Sequence, residues 1–433
     1  MPSSATRRFD EPALEAAQLL SRLGLAILMI AAPVGAVATR RLIFILMPVG
    51  AALLLIAAMI APQRTTYQRD GLSAVFMSDT ALAAMFLAFW AALSMIWTPF
   101  PGETSERFFK SLGTALLVAL TASYLPERAK TSNLYLLPIG IGAAALLTLV
   151  ASVVGPDSLR GPNVENSTLD RAVISQVVLV WPALAALAVR ERWSMAAALA
   201  TACAAAAIAI WTPLALVALI VGALTFAAAV GGPQRTAKAL GALAVALFAL
   251  APVLAVLARV LFSPDGFAAS AVAWGQLVTQ EAPRVVTGHG LGTAARLAFA
   301  GAAPLAPRSL LFEIWYELGA RGALAAAATA WFAFNAAGRA GAAIAPFLVA
   351  GMAAGLSVTL LGLSTTQLWW LTTLGVAALG FAVAARGQYR THRPHVRFNE
   401  NAPPSGALRR CPSRPRRCKS DGGRGRRLLA ELG

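Results

Sequence analysis

The sequence is poor in charge, in histidine and in cysteine, and these shortages exclude several classes of protein. Only 13% of the 433 residues are charged and 58% are hydrophobic, so a soluble globule of this composition would expose far too much apolar surface. Of the three cysteines, Cys203 lies in an apolar run, while Cys411 and Cys418 lack the spacing of a metal site. The composition therefore predicts a protein whose main solvent is lipid.

Long apolar runs are abundant. A hydrocarbon layer of about 30 Å needs roughly 20 apolar residues for one helical crossing. Runs of that kind lie at 19–38, 42–61, 79–97, 111–125, 134–154, 172–189, 195–211, 213–230, 239–261, 322–337, 342–363 and 367–385. They predict an all-α fold, a polytopic membrane bundle of about 12 transmembrane helices, with a range of 10 to 13.

The positive residues predict the orientation of this bundle. Lys and Arg near span ends are retained on the cytoplasmic side, and most of the 36 fall inside when the N-terminus is inside and twelve spans follow. Both termini are then cytoplasmic. We expect a short N-terminal segment at 1–18, a multi-span membrane domain at 19–385 and a tail at 386–433. The tail is rich in Arg, Pro and Gly and lacks apolar periodicity, which predicts disorder.

Two longer polar segments lie on the outer face, at 155–171 and 262–311, the larger of them before the tenth span. Long loops in a compact protein are usually functional or disordered. The piece 268–280 could form a helix along the membrane surface. Its lipid-facing residues would be Val272, Trp274 and Leu277.

Arginines are frequent in these outer segments, and they suggest phosphate binding. A guanidinium group is costly at membrane depth and binds phosphate with two parallel hydrogen bonds. Any one arginine can also be a snorkelling residue at the membrane interface, but several in two loops favour a shared role. The candidates are Arg160, Arg171, Arg284, Arg296, Arg308 and Arg321.

In the order of its polar and apolar motifs, the chain resembles the O-antigen ligases and the related O-antigen and exopolysaccharide polymerases. The resemblance covers roughly residues 150 to 385. It rests on "RGPN" and "LDRA" before "VVLVWPALAALA", on Trp274 and Pro283 before "GHGLGT", on "LFEIWYELGARGAL", and on "QLWWLTTLGVAALGF". The "IWYELGARG" piece is the most specific of these.

This resemblance implies a glycosyltransferase of the bacterial inner membrane that needs neither a metal nor a cofactor. Its donor is a glycan on polyprenyl (undecaprenyl) pyrophosphate, and its acceptor at the periplasmic face is a lipid A core or a growing glycan. Membrane lipids are the other partners, and nucleic acid is not expected, because the basic tail lacks interleaved aromatic residues. The arginines that would stabilise the leaving pyrophosphate are Arg160, Arg171, Arg284, Arg308 and Arg321.

The chain departs from the family where a catalytic base is expected. Many relatives carry a histidine-containing run at the position of Ala306–Ser309, and an arginine there cannot accept a proton. His289 is one replacement, and Glu313 or Glu317 is another, since a buried carboxylate binds protons more tightly. A third reading is lost transfer with retained binding, which makes the chain a non-catalytic binder or transporter of polyprenyl-phosphate-linked sugar.

The charged start of the tenth predicted span has a regular spacing. Glu313, Glu317 and Arg321 recur every four residues, so a continuous helix would present them on one face. Such a stripe would line a substrate cavity or anchor the end of the helix. Gly319 and Gly322 predict a bend or a tight packing contact there.

Overall fold

A computed structural model describes residues 4–39, 41–60, 76–125, 131–154, 167–262, 269–280, 284–294, 309–362 and 367–387. These residues form fifteen α-helices and no strand, as the apolar runs predict. The helices are α1 (Ser4–Ala26), α2 (Ala32–Ala38), α3 (Leu42–Ile60), α4 (Asp79–Ser94), α5 (Pro101–Tyr124), α6 (Leu136–Val154), α7 (Ser167–Val189), α8 (Trp193–Ile210), α9 (Pro213–Gly231), α10 (Pro233–Leu261), α11 (Ala269–Gln280), α12 (Arg284–Thr287), α13 (Leu310–Gly338), α14 (Ala345–Leu361) and α15 (Leu368–Arg386). A π-helical turn, Ile27–Ala31, joins α1 to α2, and a 3₁₀ turn, Thr131–Tyr135, precedes α6.

Local chemistry explains where several helices begin and end. The Ser309 hydroxyl accepts a hydrogen bond from the Phe312 amide and caps α13. Pro213 and Pro233 open α9 and α10, where a missing amide proton costs nothing. Trp211 takes the left-handed conformation that ends α8, with φ of 52°. The predicted break between 211 and 213 is thus confirmed.

Among the described residues, eight helical segments are long and apolar enough to cross a bilayer, so the chain is that of a multi-pass membrane protein. They are Pro12–Ala38, Leu42–Ile60, Ser132–Val154, Thr168–Val189, Trp193–Ile210, Pro213–Gly231, Pro233–Leu261 and Leu368–Arg386. Two shorter apolar helices are Asp79–Ser94 and Ala345–Leu361. Every predicted span overlaps a helix, but the count of twelve crossings stays a prediction.

The bundle exposes large apolar side chains around its perimeter. Examples are Met59, Val153 and Leu224, on α3, α6 and α9. Apolar patches of that extent would make a protein aggregate in water. A lipid environment removes the cost, in agreement with the composition.

The centre of the bundle is α7. It packs against α6, α8, α14 and α15. In its most apolar stretch of 18 residues, 89% of the residues are buried. Small residues allow such close packing in lipid. At Gly140 on α6, for instance, a Cβ atom would lie 2.1 Å from the Met29 carbonyl oxygen.

The segment 268–280 behaves differently from its prediction. It does form a helix, α11, but Val272 and Trp274 are 3% and 8% exposed and face protein. The helix packs on α10, and the Trp274 ring meets Phe312 edge-on at 5.6 Å. The expectation that these side chains face lipid is wrong, because α10 and α13 offer a closer apolar surface.

The structure departs from the predicted N-terminal boundary of the membrane domain and agrees with the predicted C-terminal one. Helix α1 already begins at Ser4, so most of 1–18 continues into the first predicted span. At the other end α15 stops at Arg386, close to the predicted boundary. The tail beyond residue 387 lies outside the described residues, and its disorder and location stay predictions.

Candidate functional site

The segment Thr287–Ala294, here called the glycine segment, lies between two parts of the chain that are distant in sequence. Gly288, Gly290 and Gly292 have φ angles of 74°, 98° and 83°, a region that only glycine enters readily. Added Cβ atoms would lie 2.2 Å from the Glu317 carbonyl oxygen, 2.8 Å from Thr98 and 2.5 Å from the Thr104 hydroxyl, respectively. The three glycines are therefore required by backbone conformation and by space.

The amide groups of the glycine segment are engaged by protein. The His289 and Gly290 amides donate to the carbonyl oxygens of Tyr316 and Glu317 at 2.9 and 3.0 Å. The Leu291 amide donates to the Ser94 hydroxyl at 3.2 Å. Glycine-rich loops that bind phosphate present such amides to the ligand instead. This segment consequently acts as a packed connector and not as a phosphate cradle.

Its partner is a break in α13. Gly319 has φ of 64° and ψ of −162°, which interrupts the helix. An interrupted helix leaves carbonyl groups without their usual partners. Those of Tyr316 and Glu317 accept from the glycine segment, and that of Leu318 accepts from the Trp90 indole at 2.9 Å. The bend expected from the glycines is present, and it is the point where the site is assembled.

The break overturns the charged stripe predicted for Glu313, Glu317 and Arg321. Glu313 and Glu317 precede Gly319 and are buried, at 5% and 3% exposure, whereas Arg321 follows it and is exposed. Four-residue spacing places side chains on one face only along a continuous helix. Here the backbone changes direction between the second and third members of the series.

The buried side chain of Glu317 is hydrogen-bonded to the glycine segment. Its Oε1 accepts a hydrogen bond from the Ala294 amide at 3.1 Å. The residue lies ahead of the break and outside the segments that qualify as membrane spans. Burial raises the pKa of its carboxyl from 4.5 to about 8, and the neighbouring Glu313 adds to the rise, although the Gly292 and Ala294 amides and the Arg107 charge oppose it.

His289 is half-buried and has a defined ring orientation. Its imidazole stacks on the Tyr316 ring, with centroids 3.9 Å apart and planes at 9°. Nδ1 lies 2.9 Å from the Tyr316 carbonyl oxygen, which can only accept, so Nδ1 donates and the neutral ring carries its lone pair on Nε2. His289 also lines a small cavity of about 20 Å³ together with Arg284.

Two of the predicted arginines share an open cleft. Arg284 and Arg321 line a space of about 560 Å³. The rest of its wall is aromatic, apolar or uncharged and consists of Trp90, Leu93, Trp97, Thr287 and Gly288. Neither arginine forms an ion pair with any residue that the structure describes, so within the described part of the chain no carboxylate neutralises the two positive charges that line the cleft. Neither Glu313 nor Glu317 is among the residues that line it.

The remaining arginines lie elsewhere. Arg171, at the start of α7, has its Cζ 5.7 Å from the Trp369 ring centroid and lines a separate cavity of about 10 Å³ that shares no residue with the cleft. Arg160, Arg296 and Arg308 lie outside the described residues, so their predicted roles stay predictions.

Sequence reasoning missed the contribution of the α4–α5 connection. Trp90 and Trp97 form a wall of the cleft, and the hydroxyls of Thr98 and Thr104 both donate to the Leu291 carbonyl, at 2.9 and 3.1 Å. The local clue was a pair of tryptophans seven residues apart, followed by Thr98 in the α4–α5 connection and Thr104 in the first turn of α5. Those residues read as an interfacial aromatic belt until the packing is known.

Comparisons of the chain with protein-family models, with curated proteins and with solved structures each gave no match.

Proposed function

We propose that the protein is a glycosyltransferase of the bacterial inner membrane. It moves a glycan from polyprenyl pyrophosphate to a lipid A core or glycan acceptor at the periplasmic face, in the synthesis of cell-surface polysaccharide. Support comes from the order of motifs shared with O-antigen ligases and polymerases, and from the helical membrane bundle.

One observation carries the proposal. Arg284 and Arg321 line the same cleft without a carboxylate partner among the described residues. Two guanidinium groups that line one cleft with no described carboxylate beside them favour a dianionic ligand. A diphosphate at the end of a prenyl chain has that charge, and the apolar wall of the cleft suits the first part of the chain.

The proposed reaction needs charge stabilisation and one proton acceptor. The acceptor oxygen bonds to the anomeric carbon, and the bond from that carbon to the pyrophosphate oxygen breaks, leaving its electron pair on the pyrophosphate. Arg284 and Arg321 stabilise the charge that develops there. His289 takes the acceptor proton on Nε2, because its Nδ1 is held by the Tyr316 carbonyl.

A second candidate is a non-catalytic binder or transporter of the same lipid-linked sugar. It is favoured by the positions of the base candidates, since neither His289 nor the two glutamates line the arginine cleft. A protein that only binds the lipid-linked sugar needs the positive charges of Arg284 and Arg321 but no catalytic base.

A transfer assay separates the two functions. Purified protein in nanodiscs would receive a polyprenyl-pyrophosphate-linked oligosaccharide and an acceptor, with product followed on gels. We expect Arg284→Ala and Arg321→Ala each to lower the transfer rate by about 10²–10³-fold. Arg235→Ala, which removes an exposed arginine from the first turn of α10, serves as the matched control and should leave the rate unchanged.

His289 gives the second arm of the assay. His289→Ala should abolish most transfer but leave binding of the lipid-linked sugar intact if the protein is an enzyme. Binding without transfer by the wild type, with any acceptor offered, would establish the binder or transporter instead. A wild type that neither binds nor transfers would refute both.

A further inference from the structure

Trp90 occupies the point where α4, the break in α13 and the arginine cleft meet. The side chain is 7% exposed and lines the cleft. It is linked to both sides of the break. Its indole nitrogen donates to the Leu318 carbonyl oxygen just before Gly319, and its ring lies under the guanidinium group of Arg321 just after it.

The hydrogen bond of the Trp90 indole determines the position of the Arg321 guanidinium group through the orientation of the ring. The hydrogen bond at 2.9 Å orients the indole plane relative to the backbone. The Arg321 Cζ lies 4.8 Å from the ring centroid, well within the range of about 6 Å for an attractive cation–π contact. An oriented ring therefore defines where the guanidinium group rests.

This way of holding an arginine preserves its charge and its donors. A carboxylate partner would neutralise the guanidinium group and occupy its N–H groups. The face of an aromatic ring uses no N–H donor, and Arg321 forms no ion pair with a described residue. Neither the ring nor a described carboxylate therefore occupies these donors, which can bind an anion in the cleft.

We propose that Trp90 is a positioning residue, which holds Arg321 in the orientation that binds the phosphate group of the ligand. The inference rests on the proposed function of the cleft and adds to it. It assigns a role to a residue that lies 228 positions from its hydrogen-bond partner.

Binding of radiolabelled undecaprenyl pyrophosphate to full-length protein in nanodiscs of zwitterionic lipid tests the proposal. Trp90→Leu removes the ring and the hydrogen bond, while Trp90→Phe keeps an aromatic face. We expect about a threefold to tenfold loss of affinity for the leucine variant and a smaller loss for phenylalanine. Trp193→Leu, which removes an exposed tryptophan that does not line the cleft, is the control and should leave the affinity unchanged.

The effect must pass through Arg321. In an Arg321→Ala background, Trp90→Leu should cause no further loss of affinity, because the positioned group is gone. An equal loss in both backgrounds would show a structural role and overturn the proposal. So would an unchanged affinity of Trp90→Leu when Arg321→Ala binds more weakly than the wild type.

A second readout does not depend on the ligand. The rate at which phenylglyoxal modifies Arg321, followed by mass spectrometry, should rise in Trp90→Leu and stay near the wild-type rate in Trp90→Phe. Equal rates in all three proteins would overturn the positioning role. A wild type that binds no undecaprenyl pyrophosphate but shows the expected modification rates would refute only the proposed function. If Trp90→Leu is not monodisperse, Trp90→Met replaces it.

Discussion

Two arginine–tryptophan pairs in this molecule have the same chemistry and different surroundings. Arg321 lies over Trp90 at 4.8 Å and faces a cleft of about 560 Å³ together with Arg284. Arg171 lies over Trp369 at 5.7 Å, but its cavity measures about 10 Å³ and is otherwise lined by Ala36, Ile43 and Ser175. A cation–π pair alone does not make a binding site. Space for the ligand and a second cation distinguish the two regions.

The largest effect should follow removal of both cleft arginines. In the variant Arg284→Ala/Arg321→Ala we expect the affinity for undecaprenyl pyrophosphate to fall by about 100-fold or more, since each charged hydrogen-bond donor contributes strongly. Equilibrium binding in nanodiscs measures it. If this double variant kept the wild-type affinity, the Arg321–Trp90 pair would be no more a binding site than the Arg171–Trp369 pair.

A loss of stability is expected when the break in α13 is obstructed. In Gly319→Ala, the new Cβ would lie 2.6 Å from the Val286 carbonyl oxygen at a φ of 64°, so the free energy of unfolding should fall by about 2–4 kcal/mol. Thermal unfolding in detergent measures it. Gly113→Ala, where nothing lies within 4 Å of the new atom, is the control, and equal stability of the two variants would contradict the prediction.

The pH dependence of stability should reveal the buried carboxyl of Glu317. Its pKa is raised from 4.5 to about 8, so the fold favours the neutral form. The stabilisation is complete below pH 4.5 and is lost as the pH rises through about 8. We expect the unfolding temperature of the wild type to fall by roughly 5 °C across this window.

In Glu317→Gln, which stays neutral at every pH, the same curve should be flatter. Glu106→Gln, at an exposed glutamate, should follow the wild type. A curve for Glu317→Gln that runs parallel to the wild type would show that another group dominates the titration.

The smallest effect should come from the second pair. Arg171→Ala should change the affinity for undecaprenyl pyrophosphate by less than about twofold, because the cavity beside this residue is too small for a diphosphate. The binding experiment used for the cleft arginines measures it. A loss as large as that of Arg321→Ala would make the two regions equivalent and restore the original prediction for Arg171.

Much of the helical fold could be predicted from sequence, but less of the site. Apolar runs placed a helix at every predicted span. Gly319 and Gly322 were predicted to give a bend or a tight packing contact, and the break lies at Gly319. The regular spacing of Glu317 and Arg321 led to the wrong prediction that they share one helix face. Periodicity assumes a continuous helix, and Gly319, where the helix is interrupted, lies between them. Trp90 escaped notice because its partner Leu318 is distant in sequence.

By itself the sequence determined that the chain is helical and that lipid is its solvent, because span length depends only on local composition and on the thickness of the hydrocarbon layer. Only the tertiary structure decided which arginines share a cleft, that the two glutamates are buried and do not line it, and that a tryptophan from α4 supports one guanidinium group. Proximity between distant segments depends on packing, which local composition does not encode.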